Sequence, residues 1–97
     1  MNNLLCSDKK DCIKAMADET RQRILRLLRV DEMSVDEITA HFTLTQPTIS
    51  HHLAFLRNSN LVIPRREGRH IFYRANPARV FECCRDILAK FKISRDR

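Results

Sequence analysis

Cysteine supplies the most reactive side chains of this 97-residue chain. Cys6 and Cys12 lie near the N-terminus, and Cys83 and Cys84 are neighbours near the C-terminus. No apolar segment approaches the ~18–20 residues that cross a bilayer, so we expect a cytoplasmic location, where thiols stay reduced. The four cysteines are therefore expected to be thiols, metal ligands or redox sensors rather than structural disulfides.

Two further interpretations of the cysteines remain open. An N-terminal and a C-terminal cysteine can join reversibly in a disulfide or polysulfide link, because thiolates oxidise readily. Alternatively, Cys83 and Cys84 are only packing residues, since both lie on an apolar stripe and free cysteine is often buried.

A second group of residues has the chemistry of DNA recognition. Amide, hydroxyl and imidazole groups can hydrogen-bond to base edges in the major groove, while arginines hold phosphates or enter the minor groove. The candidate DNA-contacting residues are Gln46, Thr48, Ser50, His51, His52, Arg57, Arg65, Arg66 and Arg69. Because side chains alternate along a strand, one of Arg65 and Arg66 is expected to point back toward the body of the protein.

The distribution of charge favours the same partner. The chain has a formal net charge of +6, and Glu67 is the only acidic residue between Phe42 and Arg74. A basic excess concentrated in one region indicates a polyanion, and double-stranded DNA fits the residues found there.

Local sequence patterns predict the elements that hold these residues. A first helix, which Asp8 can cap, runs to about residue 17, and Asp18 begins a second. Ser34 and Glu37 form a capping-box pattern, and Thr45 precedes a helix with Pro47 in its first turn.

The rest of the chain completes a recognisable architecture. Residues 62–66 and 69–74 are rich in β-branched, aromatic and basic residues and flank a turn at Glu67 and Gly68, which predicts a hairpin. The predicted fold is mainly α with a small β-hairpin (α+β), a winged helix-turn-helix of order α-α-α-α-β-β-α.

Residues 1–97 are expected to form one domain, with about seven N-terminal and four C-terminal residues frayed. The last helix, residues 77–92, carries an apolar stripe that has no remaining core to cover, so it is expected to pair with a second copy. The stripe consists of Val80, Cys83, Cys84, Ile87, Leu88 and Phe91. The single glycine and the absence of a Cys-x-x-Cys motif argue against an enzyme.

Three blocks of the chain resemble the ArsR/SmtB family of metal- and metalloid-sensing repressors. They are residues 15–28 (AMADETRQRILRLL), 45–57 (TQPTISHHLAFLR) and 65–74 (RREGRHIFYR). The resemblance implies a dimeric winged-helix repressor that binds an inverted repeat without a cofactor and leaves its operator when an effector binds.

The effector sites of that family can be compared with this sequence residue by residue. Residues 33–38 lack the Cys-x-Cys of many arsenic and cadmium sensors, and residues 76–92 lack the histidines of zinc and cobalt sensors. Some arsenic sensors of the family place neighbouring cysteines on the last helix, so Cys83 and Cys84 make As(III) or Sb(III) the expected effector. Arsenite prefers about three soft thiolates, which other soft metal ions also accept, and Cys12 or Cys6 of either subunit would be the third.

The sequence thus predicts a dimeric repressor released from its operator when As(III) binds cysteine thiolates on the last helix. A repressor that senses thiol oxidation or reactive sulfur on the same fold is the alternative.

Overall fold

The computed structural model describes residues 12–91, and none of the helices in that range is long and apolar enough to cross a membrane. The predicted fold class is confirmed, because helices surround one small antiparallel sheet. The elements in chain order are α1 (residues 12–16), α2 (Glu19–Val30), β1 (Met33–Ser34), α3 (Val35–Thr39), α4 (Gln46–Asn58), β2 (Val62–Glu67), β3 (His70–Ala75) and α5 (Pro77–Phe91). The predicted cap Asp8 and the chain ends expected to fray lie outside the described residues.

Three predicted helix starts are confirmed. The Asp18 carboxylate accepts a hydrogen bond of 3.0 Å from the Arg21 backbone N–H at the start of α2. Ser34 and Glu37 form the reciprocal capping box of α3, and Thr45 accepts the Thr48 backbone N–H at the start of α4. Each cap satisfies a backbone donor that has no partner within its own helix.

The sheet has three strands in the order β1-β3-β2, all antiparallel. Strand β1 was not predicted from the sequence, because two residues are too few to display strand alternation. Glu67 pairs with His70, so the turn consists of Gly68 and Arg69 rather than Glu67 and Gly68. Gly68 has a φ of 64°, a left-handed conformation that glycine adopts without steric cost.

The core lies where α2 and α4 meet the base of the hairpin. Its fully buried residues include Ile24 on α2, Ile49 and Leu53 on α4, and Leu61 just before β2. The apolar positions predicted to face inward on α4 are thus confirmed, and the opposite face of that helix remains available.

Helix α5 is divided between two environments. Cys83 is fully buried, and Val80 and Ile87 pack against the core of the same chain. The expectation that this helix has no core left to cover was therefore wrong. Phe81 and Leu88 are each 66% exposed, while the side chain of Phe91 lies outside the described part of the structure.

Candidate DNA interface and cysteine pair

Helix α4 presents a polar surface because its apolar residues are used in the core. Ile49, Leu53 and Leu56 are buried, and α3 packs beside α4 to complete a helix-turn-helix. The exposed residues of α4 include five that the sequence analysis proposed as DNA contacts, namely Gln46, Thr48, Ser50, His51 and Arg57. These side chains have the donors and acceptors that read base edges and phosphates.

His52, the sixth candidate on α4, lies in a different environment. Its ring is half-buried, and its Nδ1 atom is 3.1 Å from Nη1 of Arg21 on α2. A guanidinium can only donate, so Nδ1 accepts this hydrogen bond and is unprotonated. Burial lowers the pKa of His52; Arg21 and His51 lower it further, and Asp18 opposes them. His52 therefore faces the protein body more than the other candidates do.

Strands β2 and β3 form the hairpin that is the wing of the fold. Its two adjacent arginines, Arg65 and Arg66, face opposite ways, as strand alternation predicted. Arg65 donates to Glu32 through Nη2 at 2.8 Å and to Glu67 through Nη1 at 3.0 Å. Its guanidinium also lies 5.1 Å from the Phe72 ring centroid. Hydrogen bonding from Arg65 lowers the pKa of Glu32. Arg65 is therefore the arginine that points back, and each of its three guanidinium nitrogens already donates within the protein.

Arg66 and Arg69 remain free at the tip of the wing. Both are exposed, and neither forms an ion pair with another residue in the described range. A cleft of about 240 Å³ separates the wing from the start of α4 and is lined by Arg69 and Gln46, with Asp36 of α3 also on its wall. The wing tip and the N-terminal end of α4 therefore border the same side of the molecule.

A disulfide joins Cys12 on α1 to Cys83 on α5, which are 71 positions apart in sequence and have their Cα atoms 6.0 Å apart. Both residues are 0% exposed. In this state neither offers a thiolate, which differs from the expectation of reduced cysteines. The pairing of an N-terminal with a C-terminal cysteine is the one that the redox interpretation requires.

Cys84 does not join this pair. Successive helical residues point about 100° apart, so Cys83 faces the core while Cys84 lies in an apolar cleft of about 460 Å³ beside Met16, Val80 and Phe81. Within residues 12–91 no group of three or more His, Cys, Asp or Glu side chains is arranged to hold a metal ion. Cys6, the remaining proposed ligand, lies outside the described residues.

Comparison with known proteins decides the family. The profile described as "Bacterial regulatory protein, arsR family" matches residues 18–63. The transcriptional repressor SdpR of Bacillus subtilis is 40% identical over 63 residues, which span 65% of this chain and 70% of SdpR. The chain belongs to the ArsR family. This ArsR-family protein is a DNA-binding transcriptional regulator rather than an enzyme.

Other relatives of the ArsR-family protein carry different names. The arsenic resistance transcriptional regulator ArsR1 of Pseudomonas putida is 43% identical over 65 residues, covering 66% of this chain but only 51% of ArsR1. The structure of reduced HlyU from Vibrio cholerae is 32% identical with a TM-score of 0.67, covering 90% of each chain. The family is thus clear, whereas only some of these relatives are named for arsenic.

Two residues that contact the candidate DNA-binding side chains were not predicted as part of the site. Glu32 and Arg21 organise the wing and α4, but their partners lie 33 and 31 positions away in sequence. No spacing pattern links residues so distant, so only the folded chain reveals these contacts.

Proposed function

We propose that this ArsR-family protein is a dimeric transcriptional repressor that leaves its operator when Cys12 and Cys83 are oxidised to a disulfide. One observation carries the proposal. Two cysteines on different helices, far apart in sequence, lie within bonding distance while a third cysteine beside them does not. Such a pair gives a regulator two covalent states. In one state a disulfide ties α1 to α5, and in the other the two helices are not linked.

The chemistry of the switch needs only the two thiols and an oxidant. Oxidation of Cys12 and Cys83 forms one S–S bond and releases two electrons and two protons. Hydrogen peroxide can take both and become two molecules of water, with a sulfenic acid on one cysteine as the intermediate. A dithiol reductant reverses the reaction by thiol–disulfide exchange.

The DNA-binding half of the proposal rests on α4 and the wing. The exposed side chains of α4 contact base edges in the major groove, and Arg66 and Arg69 contact phosphates or the adjacent minor groove. Arg57 adds a phosphate contact at the end of α4. This role requires no cofactor and places the protein with the DNA in the cytoplasm.

The apolar outer face of α5 supports a homodimer. Phe81 and Leu88 are seven residues apart, which is nearly two helical turns, so they lie on the same side of the helix. Burying them against a second copy removes exposed apolar surface from water. A twofold dimer of this kind binds an inverted repeat, with each copy reading one half.

The disulfide can affect this dimer because one of its two cysteines lies on the helix that forms the proposed dimer surface. Cys83 is on α5, the proposed dimer helix, and Cys12 is on α1 beside it. Linking α1 to α5 restricts the motion of α5. In the proposed dimer, the contact between the two α5 helices sets the distance between the two α4 helices. Coupling energies between such sites are typically about 1–3 kcal/mol, or roughly 5–150-fold in affinity.

A metalloid-sensing repressor is the second candidate, and the similarity to ArsR1 favours it. In the reduced protein Cys12 and Cys83 offer two neighbouring thiolates. As(III) or Sb(III) would require a third from Cys6, or from Cys84 of the same or the partner subunit, and other soft metal ions could use the same sulfurs.

One experiment separates the two candidates. Fully reduced protein is bound anaerobically to a duplex selected from a random library, and either hydrogen peroxide or arsenite is added while fluorescence anisotropy reports binding. We expect release by peroxide and retention with arsenite, with Cys84→Ser behaving as wild type. Release by arsenite that Cys84→Ser or Cys83→Ser abolishes would establish metalloid sensing and contradict the redox proposal.

A further inference from the structure

The Arg21 side chain, on α2, contacts both α1, which carries Cys12, and α4, the proposed DNA-binding helix. Its Nε atom donates to the backbone oxygen of Ala15 at 3.2 Å, and Nη2 donates to that of Lys14 at 3.2 Å. Its Nη1 atom donates to Nδ1 of His52 at 3.1 Å. The guanidinium carbon also lies 4.2 Å from the centroid of the Phe55 ring. One planar group thus contacts the end of α1 and one side of α4.

The contacts with α1 are made where that helix needs partners. Carbonyl groups in the last turn of a helix have no hydrogen-bond donor within the helix. Arg21 supplies donors to the carbonyls of Lys14 and Ala15, two and three residues after Cys12, and the Lys14 carbonyl also accepts the Ala17 backbone N–H at 3.2 Å. Any change in the position of the last turn of α1 therefore acts directly on the Arg21 side chain.

The contacts with α4 lie beside part of the proposed DNA surface, since Phe55 and His51 line the same shallow pocket. His52 and Phe55 are three positions apart and lie on one side of the helix, which Arg21 engages. His51, a proposed DNA contact, is the immediate neighbour of His52. Rotating or withdrawing Arg21 would therefore alter how α4 sits on the core and how its outward side chains are aimed.

The base of this arrangement is rigid. The backbone N–H of Arg21 is bonded to the Asp18 cap, and the helix that carries it contributes Ile24, Leu25 and Leu28 to the core. A long side chain that projects from one helix and contacts two others can transmit a displacement of one to the other, because packed contacts adopt discrete arrangements.

We propose that Arg21 is a positioning residue that couples the state of the Cys12–Cys83 pair to the orientation of α4. The proposal rests on the proposed redox function and specifies how that function reaches the DNA-binding surface. With the disulfide formed, α1 is tied to α5 and its terminal carbonyls hold Arg21 in the observed position. With the thiols reduced, the last turn of α1 is released from that tie, and the contact between Arg21 and His52 changes with it.

Arg23 provides a matched control on the same helix. It lies two positions from Arg21, and its guanidinium carbon is 4.4 Å from the centroid of Phe42, which belongs to the turn before α4. It makes no hydrogen bond to α1 among the described residues. Replacing Arg23 therefore perturbs the packing of α2 beside the helix-turn-helix without touching the link to Cys12.

The test compares the DNA affinity of reduced and oxidised protein for wild type, Arg21→Gln, Arg21→Lys and Arg23→Gln. We expect at least about a fivefold difference between the two forms of wild type and of Arg23→Gln. We expect the difference to fall below about twofold in Arg21→Gln. Arg21→Lys keeps the charge but has a single nitrogen for these acceptors, so its difference should also shrink.

A purely structural role for Arg21 would give a different result. It would weaken DNA binding by both forms equally and leave the ratio of the two affinities at the wild-type value, which would overturn this proposal alone. No difference between the forms of wild type would overturn this proposal and the redox function together. Circular dichroism of each variant checks that the fold is retained.

The His52 ring provides an independent readout of the same contact. NMR signals of its ring nitrogens should differ between reduced and oxidised wild type and should coincide in Arg21→Gln. Asp18, Arg21 and His51 are the charged or titratable groups that act on this ring. A redox-dependent shift that persists in Arg21→Gln would show that another contact carries the coupling.

Discussion

Arg65 at the middle of the wing and Glu32 between α2 and β1 form a bidentate ion pair. Arg65 donates to both carboxylate oxygens, from Nε at 3.0 Å to Oε2 and from Nη2 at 2.8 Å to Oε1. Two parallel hydrogen bonds fix orientation as well as distance. The pair therefore fastens the wing to the body and leaves Arg66 and Arg69 as the arginines that can reach DNA.

The wing arginines should therefore differ in their contribution to DNA binding. Arg66→Gln and Arg69→Gln should each weaken binding and reduce the slope of log affinity against log salt by about 2 per dimer, since each of the two subunits loses one proposed phosphate contact. Arg65→Gln should change that slope much less, because its donors are bound to Glu32 and Glu67. Titrations at several salt concentrations measure the slopes, and equal slopes for Arg65→Gln and Arg66→Gln would contradict this division of roles.

The Cys12–Cys83 link should contribute strongly to stability. Closing a loop over 71 positions restricts the unfolded chain, which corresponds to about 4 kcal/mol in the chain-entropy treatment. Urea denaturation should show that reducing the wild-type protein lowers its free energy of unfolding by that amount. Cys84→Ser, which leaves the link intact, should show the same loss on reduction, whereas Cys12→Ser should be insensitive to reductant.

Two neighbouring residues of α4 should separate stability from DNA binding. Ile49 is fully buried, so Ile49→Ala should cost about 2–5 kcal/mol in the free energy of unfolding. Ser50 is exposed, so Ser50→Ala should leave stability within about 0.5 kcal/mol while weakening operator binding. Denaturation and anisotropy on the same samples test both statements, and normal DNA affinity of Ser50→Ala would remove Ser50 from the interface.

The environment of His52 predicts a pH dependence of stability. Its pKa in the folded protein lies below the usual 6.5, because burial disfavours the charged ring. The unfolded chain therefore binds the proton more readily, and stability should fall as the pH drops below about 6.5 toward the folded pKa. Asp18, whose pKa is also lowered, acts only below about 3.8 and does not contribute in this range.

His52→Gln is the matched variant, since a glutamine oxygen can accept from Arg21 and does not titrate. The loss of stability between pH 7 and pH 5 should be smaller in His52→Gln than in wild type when both are unfolded with urea. An equal loss in the two proteins would assign the pH dependence to other groups.

The proposed dimer surface gives a further test. Phe81→Glu or Leu88→Glu should shift the protein from dimer to monomer in sedimentation velocity, because a charge replaces exposed apolar surface on α5. Val30 at the end of α2 is 73% exposed, and Val30→Glu is the control. Dissociation by Val30→Glu, with no effect of the two α5 variants, would place the interface on another surface.

Sequence reasoning succeeded where structure depends on neighbouring residues. The caps Asp18, Ser34 and Thr45 were readable because each acts on a backbone group within three positions. The inward face of α4 followed from helical periodicity for the same reason. These features predicted the fold class and the exposure of most of the proposed DNA-contacting residues.

Contacts between distant residues were not readable. Cys83 was grouped with Cys84 because they are adjacent, yet helix geometry turns Cys83 toward Cys12. Spacing alone could not show that α5 packs its Val80 side on the chain's own core. Such pairings follow from how helices meet in three dimensions, and no local pattern encodes them.

The most direct test of the redox account is the operator affinity of wild type and Cys12→Ser before and after stoichiometric peroxide, with non-reducing mass spectrometry on the same samples. We predict that wild type loses two hydrogens, gains the Cys12–Cys83 link and binds DNA at least about fivefold more weakly, reversibly with a dithiol. Cys12→Ser should keep its affinity. Formation of the link in wild type with unchanged affinity would contradict the account.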